Sequence, residues 1–242
     1  MENTKIAILD SGIGGLSVLR ELDKVLLNTT FIYLGDNQNA PYGNKTMPNL
    51  WGLTLNNLEL IKEQKVDLLV LGCNTLSVNL IDRIQDYLSI KTIGTFPPVE
   101  SSIINGEKTL LLSTVATAKK FTNLNGLTIC GLENLAGDIE NNLFNLDRVN
   151  LSEHFRCLHS EKKYFDVVIL GCTHYEFLKK QIFNHFQPKK ISSGVELAVR
   201  QTLKLLKNTK SLENKSQNEV LFIGKSKNLN QRFYKKVVKS LL

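Results

Sequence analysis

The sequence predicts an α/β fold of two similar domains. Each is built on a parallel sheet, the two are related by an internal pseudo-repeat, and an active site lies in the cleft between them. Three observations carry this. Short, wholly apolar runs alternate with stretches of helical spacing, the pattern of parallel strands covered on both faces. Val66–Cys73 matches Phe165–Cys172 position by position in character, 99 residues further on. Lys5–Ser11 resembles Lys108–Thr114 in the same way.

In chain order, Ile6–Leu9 reads as the first buried strand, and Asp10-Ser11-Gly12-Ile13-Gly14-Gly15 as a tight turn opening a helix over Leu16–Leu27. Phe31–Leu34 is the second strand and Leu50–Ile61 the next helix. The strand Leu68–Leu71 ends at Gly72-Cys73 and leads into a helix over Leu76–Leu88. Pro97-Pro98 breaks helix and sheet alike and marks the crossing to the second half. That half contains strands Thr109–Leu112 and Val167–Leu170, the latter ending at Gly171-Cys172. Its helices span Leu135–Phe144, Phe177–Phe186 and Val195–Leu206. A strand over Val220–Ile223 follows. Leu229, Phe233, Val237 and Leu241 then recur at four-residue spacing, predicting a tail helix docked on one half. Residues 1–97 with 206–242 are expected to form the first domain and 98–205 the second.

Composition narrows the functional classes. With 242 residues, 42% hydrophobic and 22% charged, the chain can bury a sizeable core and does not read as disordered. No apolar run reaches the ~18 residues of a membrane span. Met1–Lys5 has no basic start before a long apolar stretch, so no secretory signal is expected and the protein reads as cytoplasmic. Four cysteines then read as thiols rather than a disulfide frame. The net charge of +7 is uneven: residues 200–242 hold 11 basic and 2 acidic residues, so the rest of the chain is slightly acidic. A solvated lysine-rich face is favoured over a polyanion site, and no nucleic acid is required.

Cys73 and Cys172 each stand just past a buried strand, where open α/β sheets bind ligands. Each is followed by hydrogen-bonding residues, Asn74-Thr75 and Thr173-His174. Cys130 and Cys157 lack such a flank and read as inert. Two facing thiols could form a redox disulfide, bind a metal with His174, or act as base and acid on opposite faces of one substrate. The first lacks the usual two-residue spacing and the second is a weak metal pattern. A thiol pKa near ~8.5 suits the third, and such a pair inverts a stereocentre. The glycine loop alone explains a tight turn. As a dinucleotide fingerprint it lacks the third glycine, and Asp10 would crowd a pyrophosphate. His154, His159 and His185 have no such setting and read as surface or structural.

The motifs Asp10-Ser11-Gly12-Ile13-Gly14-Gly15, Gly35-Asp36, Pro41-Tyr42-Gly43, Cys73-Asn74-Thr75 and Gly171-Cys172-Thr173-His174-Tyr175 stand in the order seen in bacterial glutamate racemases. Ser193-Gly194 with Ala198 also resembles that family, and the likeness spans essentially the whole chain. The more distant aspartate racemases share the fold with differently flanked cysteines. The resemblance implies an isomerase that interconverts L- and D-glutamate without cofactor or metal and supplies D-glutamate for peptidoglycan. It assigns Cys73 and Cys172 as the two acid/base groups, Asp10 and His174 as their helpers, and Glu140 as the acid near that histidine. Ser11, Tyr42, Gly43, Asn74, Thr75, Thr117 and Thr173 match the family's substrate-binding positions, with Asp10 and His174 beside them. It also implies a homodimer whose partner molecule is otherwise only the small substrate. None of these motifs contains Arg or Lys, so hydroxyls, amides and helix N-termini after both cysteines are expected to hold the carboxylates and to lower the thiol pKa values. The rival readings are a racemase acting on aspartate and a non-catalytic nucleotide- or nucleic-acid-binding α/β protein.

Overall fold

A computed structural model of the protein describes residues 4–122, 124–158, 164–207 and 217–238. His159, Leu241 and the side chains of Cys157 and Val237 lie outside that description. The first half runs β1 (Thr4–Asp10), α1 (Leu16–Val25), β2 (Thr29–Gly35), α2 (Met47–Glu63), β3 (Leu68–Leu71), α3 (Asn74–Leu88) and β4 (Thr92–Gly94). After α4 (Val99–Ile104) come β5 (Thr109–Ser113), α5 (Val115–Ala118), β6 (Leu127–Gly131), α6 (Leu135–Asn141) and α7 (Leu151–His154). The chain continues through β7 (Val167–Gly171), α8 (Lys179–Phe186), β8 (Lys190–Ser193), α9 (Gly194–Lys207), β9 (Glu219–Phe222) and α10 (Lys227–Phe233).

All strand pairs are parallel, in two sheets ordered β4-β3-β1-β2-β9 and β6-β5-β7-β8. Apart from β9, the second order reproduces the first. The repeat extends to single hydrogen bonds. Asp67 Oδ2 accepts from the Lys5 N–H at 2.8 Å, and Asp166 Oδ2 accepts from the Lys108 N–H at 2.9 Å. The central strands are buried on both faces, with Ile6–Leu9 wholly inaccessible. Of these, Ile6, Ile8 and Leu9 each contribute roughly 1.5–3 kcal/mol relative to exposure. On α1, Leu16, Leu19 and Leu22 share one face and join a core cluster that includes Tyr175, Val195 and Ala198 of the second half. Strand register sets Asp10 beside Gly35 and Ser113 beside Gly171, so the functional loops leave one edge of each sheet.

Three expectations change. The helix expected over Phe177–Phe186 begins as a 3-10 turn over Thr173–Leu178, and α8 starts only at Lys179. The Tyr175 N–H donates to the Cys172 carbonyl three residues back, which tightens the turn. Cys130 is disulfide-bonded rather than a free thiol. It lies near the end of β6, which packs against the turn Phe155–Leu158, a proximity the spacing of the sequence does not show.

The tail helix touches both halves rather than one. Strand β9 pairs with β2, and the Tyr234 hydroxyl donates to Asp23 Oδ2 at 2.9 Å. Phe233 is fully buried, its ring 5.8 Å from that of Phe144 and 5.4 Å from that of Phe177. Phe233→Ala is therefore expected to cost about 3–5 kcal/mol. A lowered urea midpoint at unchanged m checks this, and an unshifted midpoint would show that the tail is not part of the cooperative fold.

Candidate active site

The two strand-end cysteines line one small cavity of about 10 Å³. Ser11, Pro41, Tyr42, Gly43, Asn74, Thr75, Thr114, Ala136, Thr173 and His174 complete its wall. Cys73 leaves β3 and stands at the N-terminus of α3. Cys172 leaves β7 at the head of the Thr173–Leu178 turn. Both are buried free thiols. Among the described residues, no group of three His, Cys, Asp or Glu side chains could hold a metal ion.

The surroundings of the two sulfurs differ. Cys73 Sγ lies 3.9 Å from Ser11 Oγ, while Asp10 bears on it through its charge. Burial first, and the Asp10 carboxylate second, push the Cys73 thiol well above its ordinary value. The bond from the Leu76 N–H at the start of α3 works the other way and is outweighed, so the expected lowering by a helix N-terminus does not prevail there. Asp10 is itself wholly buried and its carboxyl is raised by that burial. Its Oδ2 accepts from the Gly15 N–H at 2.5 Å, and its Oδ1 has no hydrogen-bond partner among the described residues.

Beside Cys172 stands a histidine in place of a carboxylate. His174 Nδ1 lies 3.8 Å from Cys172 Sγ, and Nε2 lies 2.7 Å from Glu140 Oε1. Burial works against a charged imidazole, yet the bonds to Cys172 and Glu140 prevail and hold the His174 pKa well above its ordinary value. Glu140, on α6, accepts from the Ile13 N–H at 2.8 Å through Oε1 and from Asn37 Nδ2 at 2.8 Å through Oε2. A carboxylate of the second half is thus held by two donors of the first.

This contact explains the glycine loop. A Cβ on Gly12 would collide with the Glu140 carboxylate, and one on Gly14 would strike Thr173, His174 and Asp10. The loop is stripped of side chains so that the second half can close on it. Gly43 serves the same purpose opposite Thr114.

The other sequence-assigned residues sort by where their polar groups point. Tyr42 lines the cavity with its ring, while its hydroxyl donates to Asp36 Oδ2 at 2.7 Å. Asn74 donates its amide to the Thr95 carbonyl at 2.7 Å. Thr75 Oγ1 meets Thr114 Oγ1 at 3.1 Å, a contact between the halves. Thr117 is buried behind the wall, bonded to Thr114, which also caps α5. Asp10 and Glu140 likewise stand behind the wall rather than in it. Asn37 and Ala136 are the residues that sequence reasoning passed over. Nothing in the flanking pattern singles out either, because only the approach of α6 gives them a role. Away from the site, His154 pairs with Asp138 at 2.8 Å and the His185 ring packs on Phe155.

Replacing Glu140 by Gln should let His174 lose its proton at lower pH, as followed by NMR of the ring. In the folded protein the raised pKa gives stability that is fully present below the ordinary value of 6.5 and lost as pH rises through the folded value. That loss should shrink in the variant. An unchanged His174 titration would detach Glu140 from the histidine.

No family model matches the chain. The glutamate racemase of Clostridium novyi is 35% identical over 196 residues, covering 75% of this chain and 76% of that protein. Glutamate racemase isoform RacE1 from Bacillus anthracis superposes with a TM-score of 0.80 at 25% identity, over 100% of this chain and 95% of that one. The glutamate racemase of Francisella tularensis, solved in complex with D-glutamate, gives a TM-score of 0.75 at 25% identity, over 98% of this chain and 95% of that one.

Proposed function

The chain belongs to the glutamate racemase family, and on that premise we propose that it interconverts L- and D-glutamate with Cys73 and Cys172 as the two proton-transferring groups. The observation that carries this is the shared cavity: both free thiols line it, each with its own helper. One thiolate removes the Cα proton, and the thiol on the opposite face delivers its own proton to the same carbon. Configuration inverts with no net gain or loss of protons. The pair ends with its remaining proton moved from one sulfur to the other and resets through solvent.

The electrostatics divide the work. Asp10 beside Cys73 makes a second negative charge costly, so Cys73 rests as the thiol. The His174 imidazolium, 3.8 Å from Cys172 Sγ, is a counter-charge for the thiolate that the reaction forms there, and Glu140 keeps the imidazole charged and aimed. Substrate carboxylates fall to Ser11, Thr75, Asn74 and Thr173, through hydroxyls and backbone N–H groups. Tyr42 and Gly43 shape the wall, and Thr117 supports it through Thr114. Asp10 stands behind the wall and acts on the substrate through Cys73, whose charge state it biases. No step in this scheme calls for a cofactor or a metal.

We further place the protein in the cytoplasm as a homodimer supplying D-glutamate to peptidoglycan. The resemblance in sequence supports this, and no helix among the described residues is long and apolar enough to cross a membrane. The division into 1–97 with 206–242 and 98–205 is supported by the pairing of β9 with β2.

Circular dichroism of L-glutamate with the purified protein should decay to zero. Cys73→Ser and Cys172→Ser should each lower racemisation by about 10²–10⁴-fold. Full activity in either variant removes that cysteine from the mechanism. Constant optical activity with L-glutamate while L-aspartate racemises would reassign the substrate.

A further inference from the structure

An open groove adjoins the catalytic cavity and shares Gly43 with it. Lys45, Lys119 and Lys120 line this groove, with Asn79 and the single acid Glu133. Among the described residues, no carboxylate forms a salt bridge with any of the three lysines. The cavity itself contains no Lys or Arg. The groove lies over the contact between Thr75 and Thr114: Asn79 Nδ2 donates to the Thr75 carbonyl at 2.8 Å, and Val115 and Ala116 directly follow Thr114. The lysines come from both halves, Lys45 from the loop before α2 and Lys119 and Lys120 from the end of α5. Asn44 Nδ2 bridges the same two sides, donating to the Glu133 carbonyl at 2.9 Å.

We infer that this groove is a capture site for the dicarboxylate substrate and product, with Lys45, Lys119 and Lys120 binding the side-chain carboxylate before the molecule passes the Thr75–Thr114 contact. The inference rests on the racemase reading given above. A lysine or arginine inside the cavity, added to the His174 imidazolium, would compete with it for the thiolate and hold the substrate carboxylates as well. Placed outside, the three ammonium groups raise the local concentration of anion without touching the proton transfer. Their long stems let the charges follow the substrate inward.

The test compares two triple variants of the full chain at low ionic strength, about 0.01 M, and at about 0.15 M, where the Debye length falls from ~30 to ~8 Å. One is Lys45→Gln, Lys119→Gln, Lys120→Gln. The other removes equal charge from the C-terminal segment by Lys225→Gln, Lys227→Gln, Lys235→Gln. The groove variant should lose about tenfold or more in kcat/KM at low salt, through KM and at unchanged kcat. Its salt dependence should flatten, while the tail variant keeps the wild-type profile. Glu133→Gln should lower KM, a gain that misfolding cannot imitate. An unchanged KM in the groove variant overturns the proposal. So does an equal loss in the tail variant, which would make the effect one of overall charge, or a fall in kcat at constant KM. A wild-type protein that leaves L-glutamate unracemised refutes the racemase reading instead.

Discussion

Three donors converge on the Glu140 carboxylate, and the remainder of the site depends on that convergence. The Ile13 N–H and the Asn37 amide reach it from the first half, and His174 from the second. A largely buried anion with these partners is satisfied, whereas losing one of them leaves a charge poorly compensated. The bond fixes the imidazole so that its other nitrogen faces Cys172. It also dictates the glycine loop, since Gly12 and Gly14 must lack side chains for Glu140 and His174 to close on it. The same carboxylate therefore joins the halves and sets the charge beside one of the two cavity sulfurs.

The two sides of the cavity then follow from their helpers. One thiol stands near a buried carboxylate and stays protonated, while the other stands near a buried imidazolium. A pseudo-symmetric fold places the sulfurs at equivalent strand ends, and the asymmetry lies in the residues behind them. The proposed racemisation uses both features: equivalent positions would present two faces to one carbon, and unequal environments would hold one proton in place at rest. Closure of the halves by Glu140 and by the Thr75–Thr114 contact keeps this arrangement out of bulk water, where the charges would be screened.

Much of this was legible in the sequence because the repeat is written in apolar strands. The matched runs ending at Cys73 and Cys172 locate β3 and β7, and the aspartates opening them prove to make the same backbone hydrogen bond in each half. Strands β4, β6 and β8 escaped notice for physical reasons. Strand β4 is three residues long, β6 is only half-buried for most of its length, and β8 begins on an exposed lysine. The cysteines and their polar flanks announce chemistry, whereas Glu140 emerges only from the family resemblance and Asn37 not at all. Their function comes from α6 meeting the loops after β1 and β2, a tertiary fact. The charge excess lies in the C-terminal segment, whereas the groove that adjoins the cavity is lined by Lys45, Lys119 and Lys120.

The central claim is that two different groups handle the proton on opposite faces. Racemisation of L-glutamate in D₂O, stopped at early conversion and read by mass spectrometry of the separated enantiomers, tests it most directly. The account predicts that the D-glutamate formed carries deuterium at Cα while the remaining L-glutamate carries almost none. D-glutamate that retains the original Cα hydrogen would show one group serving both faces and would contradict it.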